Sequence, residues 1–163
     1  MAAFQFNADE IFTMAEQIER NGARFYRVAA KNNPPARELL QSIAEMEDQH
    51  LTTFEQMHKV FSVRAHDAER DTFDPEGEAA AYLSSMANGQ VFDTKKDPAL
   101  LLKGNETIGE IIHIAIGLEK DSIVFYLGMK ELVSKRLDKK SIEIIIKEEM
   151  QHITLLSNKL SGT

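Results

Sequence analysis

The sequence predicts an all-α protein in which four helices form two antiparallel hairpins. Four long segments carry apolar residues at helical spacing, and no segment alternates with a period of two over a convincing length. The segments fall into two closely spaced pairs, which a long connection joins. With 163 residues and 43% hydrophobic side chains, the chain is long enough for one domain spanning residues 1–163.

Capping residues and prolines bound the first pair of helices. Helix one is expected over about residues 8–31, because Asn7 can cap it and Glu10 follows three residues later. The run Asn-Asn-Pro-Pro at 32–35 ends this helix. Helix two is expected over about residues 35–64, since Pro35 suits a first helical turn.

The second pair has similar signals. Thr107 and Glu110 have the spacing of a capping box, which predicts a helix over about residues 107–134. The fourth helix is expected over about residues 138–159, before Gly162. The β-branched run at 142–146 is locally ambiguous, but its flanks keep helical spacing and a lone strand would have no partner.

The connection, about residues 65–106, differs in composition from the helices. It is rich in Asp, Glu, Gly, Lys and small residues, contains Pro75 and Pro98, and offers at most a short helix near 78–86. We expect a crossover that travels the length of the bundle. Connections this long usually cover or bind something.

Composition excludes several classes of partner and cofactor. With 26 acidic residues against 19 Lys and Arg, the net charge of -7 disfavours nucleic acid and anionic membranes. The absence of cysteine excludes disulfides and thiolate sites, so a metal would need oxygen and nitrogen ligands. Residues 1–7 lack the basic and apolar regions of a signal peptide, and no apolar run approaches about 20 residues. We therefore expect a cytoplasmic protein with no membrane partner.

The stripe of each helix that should face the bundle centre carries a glutamate at mid-length. On the second and fourth helices a histidine follows that glutamate by three residues and therefore shares its face. These candidate metal ligands are Glu19, Glu47, His50, Glu119, Glu149 and His152.

The two halves of the chain also repeat one another. Segment 19–26, from Glu to Phe-Tyr, resembles segment 119–126, which lies 100 residues later. The Glu-x-x-His step at 47–50 resembles the step at 149–152, which lies 102 residues later. An internal duplication would relate the hairpins by a pseudo-twofold axis and bring the six residues to one depth.

Charge balance in such a layer favours two bound cations. Each ionised carboxylate in an apolar interior costs several kcal/mol unless it is compensated, and no Lys or Arg lies mid-stripe. Two divalent cations would neutralise the four carboxylates and accept oxygen and imidazole ligands. The alternative is a misassigned stripe with carboxylates in solvent, because a single Glu-x-x-His step often occurs by chance on surface helices.

This pattern, one glutamate from each of two helices and a Glu-x-x-His step from each of the others, resembles the ferritin-like di-iron carboxylate proteins. The resemblance covers essentially all four helices and points to the rubrerythrin branch. It implies a ferritin-like bundle with Glu47 and Glu149 bridging or chelating, Glu19 and Glu119 terminal or bridging, and the two histidines on separate metals.

Two departures limit the resemblance. The chain has no cysteines and therefore no rubredoxin-like domain of the kind that rubrerythrins commonly carry, so electrons would come from outside. Rubrerythrins also carry an additional glutamate on the third helix, but the residue one turn after Glu119 is Ser122. Six ligands are therefore expected, without a redox-dependent exchange of ligands.

The resemblance implies two iron ions, with manganese or mixed metals as alternatives, and an oxidoreductase. We expect reduction of hydrogen peroxide or dioxygen, with electrons from an external donor such as rubredoxin or a reductase. Iron storage and a metal-stabilised structural module are the alternatives. A homodimer is expected from base rates.

Residues near the predicted ligands have open roles. Tyr26 and Tyr126 lie two turns beyond Glu19 and Glu119, where a phenol either hydrogen-bonds a ligating carboxylate or packs in the core. Small residues, Gly22 and Ser122, follow the same glutamates by one turn and leave room for a metal or an oxidant, or simply let helices approach.

Other polar residues are expected to have ordinary surface or packing roles. For Glu148, beside Glu149, a solvated charge is expected in preference to a role in orienting a histidine. Three histidines lie off the central stripe or in the connection, and none is expected to ligate a metal: His58, His66 and His113.

Overall fold

The computed structural model describes residues 8–63, 74–87, 93–133 and 136–162. The all-α prediction is confirmed, because every regular element in these ranges is helical. None of these helices contains an apolar stretch that could cross a bilayer. The helices are α1 (Ala8–Asn32), α2 (Arg37–Val63), α3 (Glu78–Ala87), α4 (Ile108–Leu132) and α5 (Arg136–Ser161).

The helix ends follow the sequence signals with small shifts. α2 begins at Arg37 because the two prolines occupy a 3-10 turn, Pro34–Ala36, in which the Ala36 N–H donates to the Asn33 carbonyl. Thr107 and Glu110 form the predicted capping box. The predicted cap Asn7, the predicted helix end at 134, His66 and parts 65–73 and 88–92 of the connection lie outside the described residues.

The bundle consists of two hairpins. α1 packs along α2 and α4 along α5, and the hairpins meet where α1 contacts α4 and α2 contacts α5. The short helix α3 belongs to the connection and packs on α4. There the Tyr82 hydroxyl donates to the Val124 carbonyl at 2.9 Å, and its ring lies where a side chain at Gly128 would be.

Two apolar clusters fill the bundle and leave a polar layer between them. One cluster contains Phe12, Phe54 and Phe125, and the other contains Phe25, Leu40 and Leu156. Along each long helix the predicted ligands lie between the residues of these two clusters. The polar layer is therefore closed above and below by apolar side chains.

His58, near the end of α2, hydrogen-bonds two carboxylates in the first half of α1. Its Nδ1 lies 2.6 Å from Glu16 Oε1 and its Nε2 lies 2.7 Å from Asp9 Oδ1, while its ring stacks on Phe12. Burial lowers the pKa of His58, but the hydrogen bonds with Asp9 and Glu16 outweigh this and raise the pKa above its ordinary value. His58 therefore links α1 to α2 through two hydrogen bonds and one ring contact.

These contacts predict a pH-dependent contribution of His58 to stability. Because the folded state raises the pKa, the contribution is complete below the unfolded pKa of about 6.5 and is lost as the pH rises through the folded pKa. The difference in unfolding free energy between the unchanged protein and His58→Gln should therefore shrink with rising pH. Urea unfolding of both proteins at a series of pH values from below 6.5 upward measures this difference. Arg20 and Ser62, which contact the carboxylates of Glu16 and Asp9, are the same in both proteins.

The exposed His113→Gln variant is the control for the substitution itself. A His58→Gln difference that stayed constant with pH would contradict a protonated imidazole at this position.

Candidate metal centre

The structure brings the six predicted side chains together in the polar layer. None of the six is more than 3% exposed, so the alternative in which these carboxylates face solvent is wrong. Each long helix contributes at mid-length: α1 supplies Glu19, α2 supplies Glu47 and His50, α4 supplies Glu119, and α5 supplies Glu149 and His152.

The six residues form two donor groups. In each group, four nitrogen or oxygen atoms from four residues lie within 4.8 Å of one another. The His50 group comprises Glu19, Glu47, His50 and Glu149. The His152 group comprises Glu47, Glu119, Glu149 and His152. Glu47 and Glu149 therefore belong to both groups, whereas Glu19 and Glu119 belong to one each.

Glu149 spans the centre with its two oxygens. Its Oε1 lies 3.4 Å from His50 Nδ1, and its Oε2 lies 2.8 Å from His152 Nδ1. His50 Nδ1 also lies 3.4 Å from Glu19 Oε2, and the two imidazole rings face each other at 5.7 Å. The sequence left open which carboxylates would be shared, and these distances place Glu149 beside both histidines.

The donor atoms fit two divalent cations. Seven buried nitrogen and oxygen atoms of these side chains have no hydrogen-bond partner within the described ranges, although buried polar groups normally have one. No Lys or Arg is among the described buried residues, so the four carboxylates have no fixed counter-charge. A set of four carboxylates and two imidazoles suits iron or manganese equally.

Burial and neighbouring side chains shift the pKa values of the centre. Burial, followed by repulsion from the other glutamates, raises the pKa of Glu47 and Glu149. Burial lowers the pKa of His50, but Glu149 and Glu19 outweigh it and raise the pKa to about 11. Cations bound at the centre would compete with protons for these groups, because a carboxylate or imidazole has to lose its proton before it ligates a metal.

The two tyrosines hydrogen-bond the carboxylates crosswise. The Tyr26 hydroxyl donates to Glu119 Oε1, and the Tyr126 hydroxyl donates to Glu19 Oε1. Burial and the surrounding glutamates raise the pKa of both phenols, so both remain donors. Each tyrosine thus orients a glutamate of the opposite hairpin, which the sequence could not specify.

Removing these phenols should weaken cation binding at one position each. Tyr26→Phe should lower affinity about 10–100-fold at the His152 group, because the Glu119 carboxylate loses its orienting donor. Tyr126→Phe should act in the same way on the His50 group through Glu19. Calorimetric titration with Mn²⁺ measures both effects.

Tyr82→Phe is a matched control, since that hydroxyl bonds a backbone carbonyl outside the centre. In a Glu19→Ala background, Tyr126→Phe should have no further effect, because its partner is gone. If all the tyrosine variants bound Mn²⁺ as tightly as the unchanged protein, the two phenol hydroxyls would have no role in orienting the carboxylates.

Glu148 was expected to be a solvated charge, and this expectation is incomplete. Its side chain is 38% exposed, yet its Oε2 lies 2.9 Å from His50 Nε2. A carboxylate that accepts the outer N–H of a histidine leaves the other ring nitrogen, Nδ1, free to bind a metal. Adjacency to Glu149 was the only signal in the sequence.

A cavity of about 330 Å³ extends from the surface to the centre between α1 and α4. Its inner wall includes Glu47 and Glu119 and the small residues Gly22 and Ser122. A Cβ at Gly22 would lie 2.5 Å from Glu47 Oε2, so this position tolerates only glycine without movement of the carboxylate. The small residues therefore make room beside the donor atoms.

Part of the long connection covers this cavity. Residues 93, 94, 96–98 and 101 line it. Asn21 Nδ2 donates to the Thr94 carbonyl at 3.0 Å, and Arg24 Nε lies 3.0 Å from Asp97 Oδ2. These two contacts attach this part of the connection to α1. The expectation that the connection covers something is met by its described part.

Similarity to a known structure agrees with this architecture. A crystal structure of a Thermotoga maritima protein, provisionally described as a ferritin-like diiron-carboxylate protein, matches over 99% of both chains with a TM-score of 0.70 and 24% identity. The chain has a ferritin-like fold. No family model and no curated protein matches the sequence.

The ferritin-like fold explains how the donor groups form. Two hairpins, each with polar residues at mid-length, meet so that each donor group draws on three helices of the bundle. The predicted fold is confirmed, and ligation by the six residues remains a prediction that their geometry supports.

Proposed function

We propose that the protein holds two iron or manganese ions and is an oxidoreductase that reduces hydrogen peroxide or dioxygen. The observation that carries this proposal is the sharing of Glu47 and Glu149 between the two donor groups. Shared carboxylates hold two cations close enough to act on one small molecule, which a purely structural site does not require.

The residues of the chain have distinct tasks in this proposal. The four carboxylates supply negative charge that favours the more oxidised metal ions, and the histidines complete the two positions. Tyr26 and Tyr126 keep Glu119 and Glu19 in place through their hydrogen bonds. When bound, a pair of such metal ions supplies the two electrons that reduction of peroxide requires.

Access for the oxidant is the task of the cavity. It reaches Glu47 and Glu119, and the small residues Gly22 and Ser122 line it as well. The apolar clusters above and below the layer exclude bulk water from the other directions. Small uncharged oxidants such as peroxide and dioxygen suit this route.

Electrons come from outside the chain in this proposal. The sequence contains no cysteine for an iron–sulfur centre, so rubredoxin or a reductase is the proposed class of donor. A homodimer in the cytoplasm stays a prediction that a sedimentation measurement and cell fractionation can check.

Anaerobic loading with Fe²⁺ followed by addition of peroxide tests the function. We expect two metal ions per chain and peroxide consumption faster than that of free iron at the same concentration. Glu119→Ala should lower both values, whereas Glu45→Ala, exposed on α2, should change neither.

The alternatives give different results in the same experiment. Two bound ions without turnover would favour a structural module, and iron accumulation far above two per chain in a large assembly would favour storage. Fewer than two ions per unchanged chain would contradict the proposal.

A further inference from the structure

The internal repeat extends to the contacts of the centre. Tyr26 donates to Glu119 as Tyr126 donates to Glu19, and the Nδ1 atom of each histidine faces the carboxylates. Because the contacts of the two halves correspond in this way, a departure from the correspondence distinguishes one donor group from the other.

One departure occurs at the outer nitrogens of the histidines. His50 Nε2 lies 2.9 Å from Glu148 Oε2. In contrast, His152 Nε2 is buried and has no hydrogen-bond partner in the described part of the chain. Glu148 directly precedes Glu149, and the residue that directly precedes Glu47 is Met46. The repeat therefore places a weakly accepting thioether where the other half has a carboxylate.

We propose that the two donor groups bind divalent cations with unequal affinity, so that the His50 group fills first, and that Glu148 is the positioning residue responsible. This inference rests on the proposed function, because both groups have to bind cations. Glu148 fixes the ring orientation and keeps the proton on Nε2, which leaves Nδ1 of His50 as the ligand atom.

The His152 group lacks this support. When Nδ1 of His152 binds a cation, the ring proton has to be on Nε2, where it is buried without an acceptor among the described residues. Loss of a partner of this kind typically weakens metal binding about 10–100-fold. We expect a difference of that size between the dissociation constants of the two groups.

Titration of the metal-free full chain with Co²⁺ measures the difference, by calorimetry and visible absorption. Glu119→Ala leaves the His50 group complete, and Glu19→Ala leaves the His152 group complete. Each variant also removes the hydrogen bond that one tyrosine donates to the substituted glutamate, so the two variants lose equivalent hydrogen bonds. We expect Glu119→Ala to bind one Co²⁺ about 10–100-fold more tightly than Glu19→Ala.

Exchange of the two distinguishing residues tests their role. Glu148→Met in the Glu119→Ala background should remove the advantage, and Met46→Glu in the Glu19→Ala background should create one. Glu148→Met in the Glu19→Ala background should leave affinity unchanged, which a merely structural role for Glu148 would not predict. Glu148→Gln, which keeps the size of the side chain, should act in the same direction if the methionine variant folds poorly.

Equal affinities of the two single-position variants would overturn this inference, and so would a Glu148 effect that weakened both groups alike. Either result would leave the proposed function standing, because two cations would still bind. Failure of the unchanged protein to bind Co²⁺, Mn²⁺ and Fe²⁺ would instead overturn the proposed function, and this inference with it.

Discussion

Alanine in place of Glu149 is expected to abolish binding of both cations, whereas alanine in place of Glu19 is expected to leave one bound. Glu149 presents one oxygen to each histidine and belongs to both donor groups, but Glu19 belongs only to the His50 group. Metal analysis after gel filtration should give two, none and one cation per chain for the unchanged protein, Glu149→Ala and Glu19→Ala.

Thermal unfolding should reproduce the same order. A ligand that binds only the folded state at 100 times its dissociation constant stabilises by about 2.7 kcal/mol. For a chain of this size, 1 kcal/mol raises the melting temperature by roughly 2–4 °C, so two cations should raise it by roughly 10–20 °C. Glu19→Ala keeps only the weaker His152 group and should show less than half of this rise, and Glu149→Ala should show none.

Glu143→Ala is the control, since this exposed residue lies on the same helix and forms a surface ion pair with Lys130. Circular dichroism of the metal-free variants excludes misfolding as the cause. Retention of one cation by Glu149→Ala would show that Glu149 serves only one position.

The six buried polar residues could be predicted because each requires only local information. Helical periodicity determines which face of a helix carries Glu47 and His50, and the repeat places Glu149 and His152 at the same depth. The absence of a mid-stripe cation then makes bound metals the economical explanation. The structure places all six residues where this reasoning requires them.

Contacts between the hairpins could not be predicted in this way. Glu148 meets His50 across 98 residues of sequence, and the contact depends on how α2 crosses α5, which periodicity along one helix does not specify. The crosswise partners of Tyr26 and Tyr126 have the same origin. The cover over the cavity depends on the path of an irregular segment, for which no repeating pattern exists.

Alanine at position 22 is expected to separate cation binding from the stability of the fold. A Cβ there would lie 2.5 Å from Glu47 Oε2 and 3.3 Å from its Cδ, so the carboxylate has to move. Because Glu47 serves both donor groups, affinity should fall at both positions, by at least about 10-fold. Titration with Mn²⁺ measures this loss.

The fold itself should not lose stability through the same change. Alanine is favoured over glycine in a helix interior by up to about 1 kcal/mol, and the metal-free Glu47 side chain can swing away from the new methyl group. Urea unfolding of the metal-free Gly22→Ala variant should therefore show unchanged or slightly higher stability, together with weakened cation binding.

Gly117→Ala supplies the matched control, because a Cβ at that helical position meets no atom within 4 Å. It should gain the same helix-forming preference and keep the affinity for cations of the unchanged protein. If Gly22→Ala also bound two cations with unchanged affinity, Glu47 could not be a shared ligand in the orientation described, because its Oε2 atom and the new methyl group would compete for the same space.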